Sequence, residues 1–301
     1  AQQGERQPIT QQRAGGSLQE GEEAHASLDA SVPTRGKPRP GKFCIASRMT
    51  AGTLHARMQL DEYRKLSEVE DRMWYFHALN RRVAHWLARL LPSGPVRVLD
   101  AGCGTGGLIK SLHAANPAWR ATGLDFMPLA CELARERTGA EIVQGSITEL
   151  PFADGSFEAV VSADVVCQVV DGARALREFA RVVRPGGVVL VNVPAFRWLW
   201  SYHDDTCETK HRYTRPELAG LFRAAGLGVD FASYANLLPL PLIAARRKLF
   251  RPANPTSDVQ LYPAPIEAGF AGLAGLEFAW QRAGWASPLG SSVFVAGRRP
   301  L

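Results

Sequence analysis

Val98-Leu99-Asp100-Ala101-Gly102-Cys103-Gly104-Thr105-Gly106-Gly107 joins an apolar strand to a turn with four closely spaced glycines, and a carboxylate stands at the junction. Glycine takes positive φ without strain and lets a ligand approach where a Cβ would collide. The stretch therefore reads as a binding loop at the carboxyl end of a strand, where open α/β sheets hold nucleotide-like cofactors.

Spacing alone does not name the cofactor, because Gly102, Gly104 and Gly107 also satisfy the G-x-G-x-x-G dinucleotide pattern. Asp100 separates the two readings. A pyrophosphate on the following helix N-terminus is repelled by a neighbouring carboxylate, whereas S-adenosylmethionine (SAM) carries an ammonium and a sulfonium and is attracted. SAM is the expected cofactor; a nicotinamide or flavin site and a plain tight turn are the alternatives.

From about residue 58 to 299 the chain resembles the class I SAM-dependent methyltransferases, in particular their small-molecule branch. Trp119-Arg120-Ala121-Thr122-Gly123-Leu124-Asp125-Phe126-Met127 resembles the second strand, whose terminal acid in that family binds both ribose hydroxyls. Asp125 suits that role, since one carboxylate can accept from both hydroxyls of a cis-diol. Ile142 to Ile147, then Leu150-Pro151-Phe152 and Asp154 to Val161, resemble the third and fourth strands. Ser146 stands where the family usually has an Asp that contacts the adenine amino group. Leu176-Arg177-Glu178 through Val182-Val183-Arg184-Pro185-Gly186-Gly187 resembles the helix and turn before the fifth strand. The resemblance implies cofactor contacts from Asp100, Gly102, Cys103, Gly104, Gly106, Asp125, Phe126, Ser146, Ile147 and Asp164.

Residues 1–57 are rich in Gln, Gly, Glu, Ser and Pro with no sustained apolar period, and are expected to be a disordered tail. The chain opens on Ala1 rather than a methionine, as a fragment, a processed form or an over-extended reading frame would. Residues 58–92 follow a helical period through Tyr63, Leu66, Val69, Met73, Phe76, Leu79 and Val83 and end at Pro92. Glu70, the aromatic run Trp74-Tyr75-Phe76 and Arg81-Arg82 match what the resembling family carries on this helix, read either as packing on the sheet or as a lid. The cofactor-binding core spans 93–193, with strands near 96–100, 119–125, 140–144, 157–163 and 187–193. Residues 194–301 add the last two strands, near 226–231 and 291–296, and apolar elements at Leu237 to Ile243 and Ile266 to Trp280, expected to wall an acceptor pocket. The fold class is α/β: a doubly wound, seven-stranded, mostly parallel sheet of Rossmann-like methyltransferase type with a helical lid.

Five cysteines, Cys44, Cys103, Cys131, Cys167 and Cys207, are odd in number and form no C-x-x-C pair, which suits reduced thiols and a cytoplasmic protein. No apolar run reaches the roughly 18 residues of a membrane span. The net charge of +6 comes partly from Arg35 to Lys42 and has no aromatic-interleaved basic stripe beside it, so a nucleic-acid partner is not expected. Oligomeric state is not legible.

Methyl transfer from a sulfonium is a direct displacement, so a site needs alignment, an aromatic wall and, for a hydroxyl or ammonium acceptor, a base. Phe196 to Tyr213 supplies both residue types. His203 and His211 are the candidate bases, Asp204 or Asp205 a candidate orienting acid, and Tyr213 a further candidate. A polar network that merely holds the loop is the competing reading, and a metal site on His203, Asp204 and His211 lacks a recognised ligand spacing. Cys167-Gln168 stands where many relatives carry an acid and a histidine. Thr214, Pro216 and Glu217 predict a capped helix start. The expected function is methyl transfer from SAM to a small-molecule acceptor, with hydrophobic and lipid-linked compounds within that class. The alternatives are an inactive SAM-fold binding or scaffold protein and a methyltransferase acting on RNA or protein.

Overall fold

A computed structural model describes residues 51–249 and 257–301, with side chains from Leu60 onward. The elements run α1 (Ala51–Val69), α2 (Trp74–Leu90), β1 (Val96–Ala101), α3 (Gly107–Ala115), β2 (Trp119–Asp125), α4 (Pro128–Thr138), β3 (Glu141–Gln144) and β4 (Phe157–Ala163). They continue with α5 (Gly172–Val182), β5 (Val183–Pro194), α6 (Tyr202–Thr206), α7 (Arg215–Ala224), β6 (Gly228–Ala235), α8 (Leu240–Leu249), α9 (Ala264–Arg282) and β7 (Ser292–Arg298).

The seven strands form one sheet in the order β3-β2-β1-β4-β5-β7-β6. The first five are parallel, and β7 runs antiparallel between β5 and β6. Strands covered on both faces need apolar residues on both, and Val98-Leu99 of β1 and the run Val188 to Val191 of β5 supply them. Leu99, Val189 and Val191 turn to the face packed by Phe179 of α5 and Phe222 of α7. Their neighbours Val98, Val188 and Leu190 turn to the opposite face, against Leu79, Val83, Trp86 and Leu87 of α2. The parallel order places the carboxyl ends of β1, β2 and β4 side by side, and with them Asp100, Asp125 and Asp164.

The sixth strand, expected near 226–231, runs on to Ala235, and three further boundaries differ from the sequence reading. The lid helix begins at Ala51, inside the span expected to be disordered; residues 1–50 of that tail lie outside the described residues. The period read continuously from 58 to 92 breaks between Val69 and Trp74, where Met73 takes an extended conformation and the Trp74 N–H donates to the Glu267 carboxylate at 2.8 Å. The fifth strand starts at Val183 rather than 187. Phe157 pairs with Val183 and Ala159 with Val188, so Arg184 to Gly187 form an irregularity within the strand instead of a turn before it. The predicted start of α7 is present: Thr214 and Glu217 form a reciprocal capping box with Pro216 in the first turn.

The basic pair of α2 holds the fold rather than the cavity. Arg82 is buried, its Nε donates to Gln281 Oε1 at 2.8 Å, and its charge is opposed by buried Glu277 of α9. Glu277 in turn accepts from the Leu237 N–H at 2.7 Å and the Ser287 hydroxyl at 3.0 Å. Arg81 lies over the Phe278 ring, 4.8 Å from its centroid. Arg82→Ala leaves buried Gln281 Oε1 without its charged donor and Glu277 without its opposing charge, so it should cost ~2–3 kcal/mol of stability. A urea unfolding midpoint unchanged from the parent would show that Arg82 does not clamp α2 to α9.

Candidate active site

A cavity of about 750 Å³ opens over the carboxyl ends of β1, β2 and β4 and is walled by α1, α2, α6, α8 and the residues leading into α9. Of the residues expected to hold a cofactor, Asp100, Gly102, Cys103, Gly104, Asp125, Phe126, Ser146, Ile147 and Asp164 line it. Gly106 does not. At φ 89° it starts α3, and a Cβ there would meet Thr138 Cγ2 at 2.6 Å, so it is needed for the packing of α3 on α4. Gly104 is the opposite case. At φ 53° its missing Cβ would point into open space, with only Leu66 Cδ2 within 4 Å, at 3.5 Å. That is the close backbone approach a ligand requires.

The two strand-end carboxylates are buried differently. Asp125 Oδ2 accepts from the Gly104 N–H and Oδ1 from the Met127 N–H, each at 2.9 Å, which holds the carboxylate flat against the loop with lone pairs to spare. Burial raises its pKa and these backbone donors oppose the rise. Asp100 has less relief: its Oδ2 is buried without a hydrogen-bond partner among the described residues. Desolvation first, then Asp125 and Glu70, push its pKa up to about 8. A buried acid in this condition is matched by a cation. The residues therefore fit SAM: its positive charges would complete Asp100 and its ribose diol would match Asp125. Ser146 is partly engaged already, with its Oγ 2.8 Å from Thr148 Oγ1 and accepting from the Thr148 N–H at 3.2 Å. Phe126 leaves 70% of its surface exposed at the cavity.

Asp164 sits at φ 60° at the end of β4, in the left-handed region that a non-glycine residue rarely adopts. Its Oδ2 accepts from the Tyr75 hydroxyl at 2.6 Å and its Oδ1 from Asn192 Nδ2 at 2.9 Å, so α2 and β5 both aim it. Sequence reasoning missed this triad, since its members lie on three elements far apart in the chain. Met73, Trp74, Tyr75 and Phe76 line the cavity with Tyr262 and Phe270, and Trp74 stacks on Phe270 at 5.0 Å between centroids. The aromatic run thus packs and walls the cavity at once. Leu242 and Ile243 of α8, from the apolar stretch at 237–243, join the wall.

The loop after β5 corrects several expectations. His211 does not line the cavity; it is exposed and its Nε2 lies 2.6 Å from Glu217 Oε1. Tyr213 is buried in the core beside α5 and also stands away from the cavity. Asp204 does not orient a histidine. It accepts from Arg212 Nε at 2.7 Å and Nη2 at 3.0 Å in a buried ion pair, while Arg212 Nη1 donates to the Ala195 carbonyl at 2.7 Å. Only His203 of the candidate bases lines the cavity. Its Nδ1 accepts from the Asp258 N–H at 3.0 Å, which places its proton on Nε2 and leaves a donor rather than a base on that side. Desolvation first, then Arg247, lowers its pKa to about 4. No group of three His, Cys, Asp or Glu side chains among the described residues is arranged to hold a metal ion, and no described helix is long and apolar enough to cross a membrane.

A family model described as a methyltransferase domain matches residues 99–191. Demethylmenaquinone methyltransferase of Deinococcus radiodurans is 36% identical over 137 residues, covering 44% of this chain and 54% of that protein. The ubiquinone/menaquinone biosynthesis C-methyltransferase of Geotalea daltonii is 34% identical over 136 residues, covering 42% and 54%. The chain thus spans about half the length of the curated relatives it matches. Among solved structures, the putative methyltransferase in complex with the Trm112 activator of Haloferax volcanii superposes with a TM-score of 0.54 at 23% identity, covering 82% of this chain and 97% of that one, and shows the same fold.

Asp100 makes a prediction about the ligand-free protein. A carboxyl whose folded pKa lies near 8 and whose unfolded pKa is ordinary favours the unfolded state progressively as pH rises between the two values. Asp100→Asn removes that opposition, so it should raise the Tm of the ligand-free protein at pH 8 and have a much smaller effect at pH 4. A Tm lowered at pH 8 would contradict the reading of Asp100 as an uncompensated acid.

Proposed function

We propose, for a chain that carries a class I SAM-dependent methyltransferase domain, that it transfers a methyl group from SAM to a small acceptor of largely apolar surface. The observation that carries this reading is the buried, unpartnered Asp100 Oδ2 beside the open backbone of Gly104, in a cavity that the aromatic side chains Trp74, Tyr75, Phe76, Tyr262 and Phe270 also line. The quinone-pathway names of the relatives support an apolar acceptor.

Asp100 and Asp125 bind the cofactor, Asp100 through charge and Asp125 through paired hydrogen bonds to the ribose. Bound SAM supplies an activated methyl group on a positively charged sulfur. The protein's remaining tasks are to align the acceptor and to exclude water. Met73, Trp74, Phe76, Tyr262 and Phe270 exclude water from the acceptor, and His203 presents Nε2–H as a hydrogen-bond donor. Asp164, fixed by Tyr75 and Asn192, is the better-placed proton acceptor: burial raises its proton affinity above that of an ordinary carboxylate, and it faces the cavity.

Calorimetric titration with S-adenosylhomocysteine and SAM tests the cofactor half directly. The parent should bind both. Gly104→Val should lose binding without unfolding, because the new side chain fills the ligand's space, and Asp125→Ala should weaken it by ~2–4 kcal/mol by deleting charged acceptors for two hydroxyls. A parent that binds neither compound would leave a scaffold protein as the better reading. For His203, imidazole ¹⁵N spectra should show the Nε2–H tautomer and no protonation between pH 5.5 and 8, given a pKa lowered to about 4. An inflection near pH 6.5, assigned by its absence in His203→Gln, would restore His203 as a candidate base.

A further inference from the structure

The cavity has a second polar constellation that methyl donation does not use. Arg246 and Arg247 of α8 both line it, and both reach the same carboxylate, Asp258, just beyond 250–256. Arg247 Nε donates to Asp258 Oδ2 at 2.9 Å and Arg246 Nε donates to Oδ1 at 3.3 Å, while the Tyr202 hydroxyl donates to Oδ1 at 2.7 Å. One carboxylate therefore serves two guanidiniums and a phenol. Each guanidinium bond uses Nε, so the terminal nitrogens, the pair suited to bidentate recognition of an oxyanion, are not consumed by Asp258. Asp204, the acid nearest in sequence to His203, is already neutralised by Arg212.

The two ends of the cavity differ in make-up. The charges acting on Asp100 are both acidic, Asp125 and Glu70, whereas both signs act around α8: Arg247 and Arg212 against Asp258 and Asp204 at His203, and Glu62, Asp204 and Asp164 against Arg247 at Cys207. The excess positive charge at α8 comes from the pair itself, two guanidiniums that share the single carboxylate of Asp258. Apolar side chains, Ile243, Val259, Tyr262 and Phe270, line the cavity with the arginines, and Arg246 lies over the Tyr262 ring at 5.3 Å.

We propose that Arg247, with Arg246, is an acceptor-anchoring site that holds an oxyanion, a carboxylate or a phosphate, carried by an otherwise apolar methyl acceptor. The proposal rests on the methyl-acceptor reading of this cavity and sets the acceptor class within it. It makes α8 a specificity element, since a neutral compound of the same shape leaves the paired guanidiniums without their ligand.

The test titrates the full chain, saturated with S-adenosylhomocysteine, with decyl phosphate, decanoate and decanol. At least one anionic probe should bind about tenfold or more tighter than decanol, and which one does so distinguishes phosphate from carboxylate. Arg247→Gln should lose about tenfold or more of that affinity, Arg247→Lys should lose less, and both should leave decanol and S-adenosylhomocysteine affinities unchanged. A purely structural role would lower the Tm without separating anion from alcohol. Equal binding of all three probes, no binding of any, or anion affinity untouched in Arg247→Gln overturns the proposal. Failure of S-adenosylhomocysteine to bind would count against methyl transfer instead, and the same probe comparison in the cofactor-free protein would still decide the anion site.

Discussion

Two carboxylates held out of water at the ends of adjacent parallel strands impose the constraint on which the site depends. Asp100 and Asp125 lie on β1 and β2, and each raises the proton affinity of its surroundings. Asp125 is stabilised by two backbone N–H groups. Asp100 lacks that relief, so it holds its proton in the free protein and is poised to ionise when a cation is placed beside it. The sheet makes the placement unavoidable, because parallel strands order their carboxyl ends along one edge. The glycine loop makes it usable, because Gly104 leaves the approach open.

The lid is fastened to this same loop. Glu70, in the junction between α1 and α2, is buried and accepts from the Thr105 hydroxyl and from Arg137 of α4, and Arg137 Nη1 also donates to the Thr105 carbonyl at 2.7 Å. Asp71 extends the contact to Arg137 and to Lys110 of α3. The break between α1 and α2 is therefore a joint that ties the cavity's roof to its floor. From that joint α2 carries Trp74, Tyr75 and Phe76 over the cavity, and Glu267 secures its first turn to α9. Tyr75 then connects roof to sheet through Asp164. The site is built from couplings between elements as much as from the cofactor loop.

The difference between what the sequence disclosed and what it concealed follows from range. Asp100, Gly104 and Asp125 were legible because strand period, glycine spacing and the length of one βαβ unit are local properties. The capping box at Thr214 and Glu217 was legible for the same reason. His211 and Tyr213 looked equivalent to His203 because sequence proximity says nothing about which way a loop side chain points; Glu217 and the core claim them instead. Asp204 adjoins His203 in sequence, yet Arg212 takes it. The Tyr75–Asp164–Asn192 triad and the arginine pair on Asp258 join residues whose separations follow no period. The break at Glu70 was hidden because the apolar period runs through it unbroken, while the cause, a buried acid bound to Thr105 and Arg137, lies on other elements.

Proton release on cofactor binding addresses the central claim most directly. Calorimetry of SAM binding at pH 7, repeated in buffers of different ionisation enthalpy, counts protons exchanged per bound ligand. With Asp100 near a pKa of 8 in the free protein, binding of a cation should ionise it and release close to one proton, and Asp100→Asn should remove that release. Binding with no net proton release in the parent, or an identical release in Asp100→Asn, would contradict the account in which this buried carboxylate is completed by the cofactor's charge.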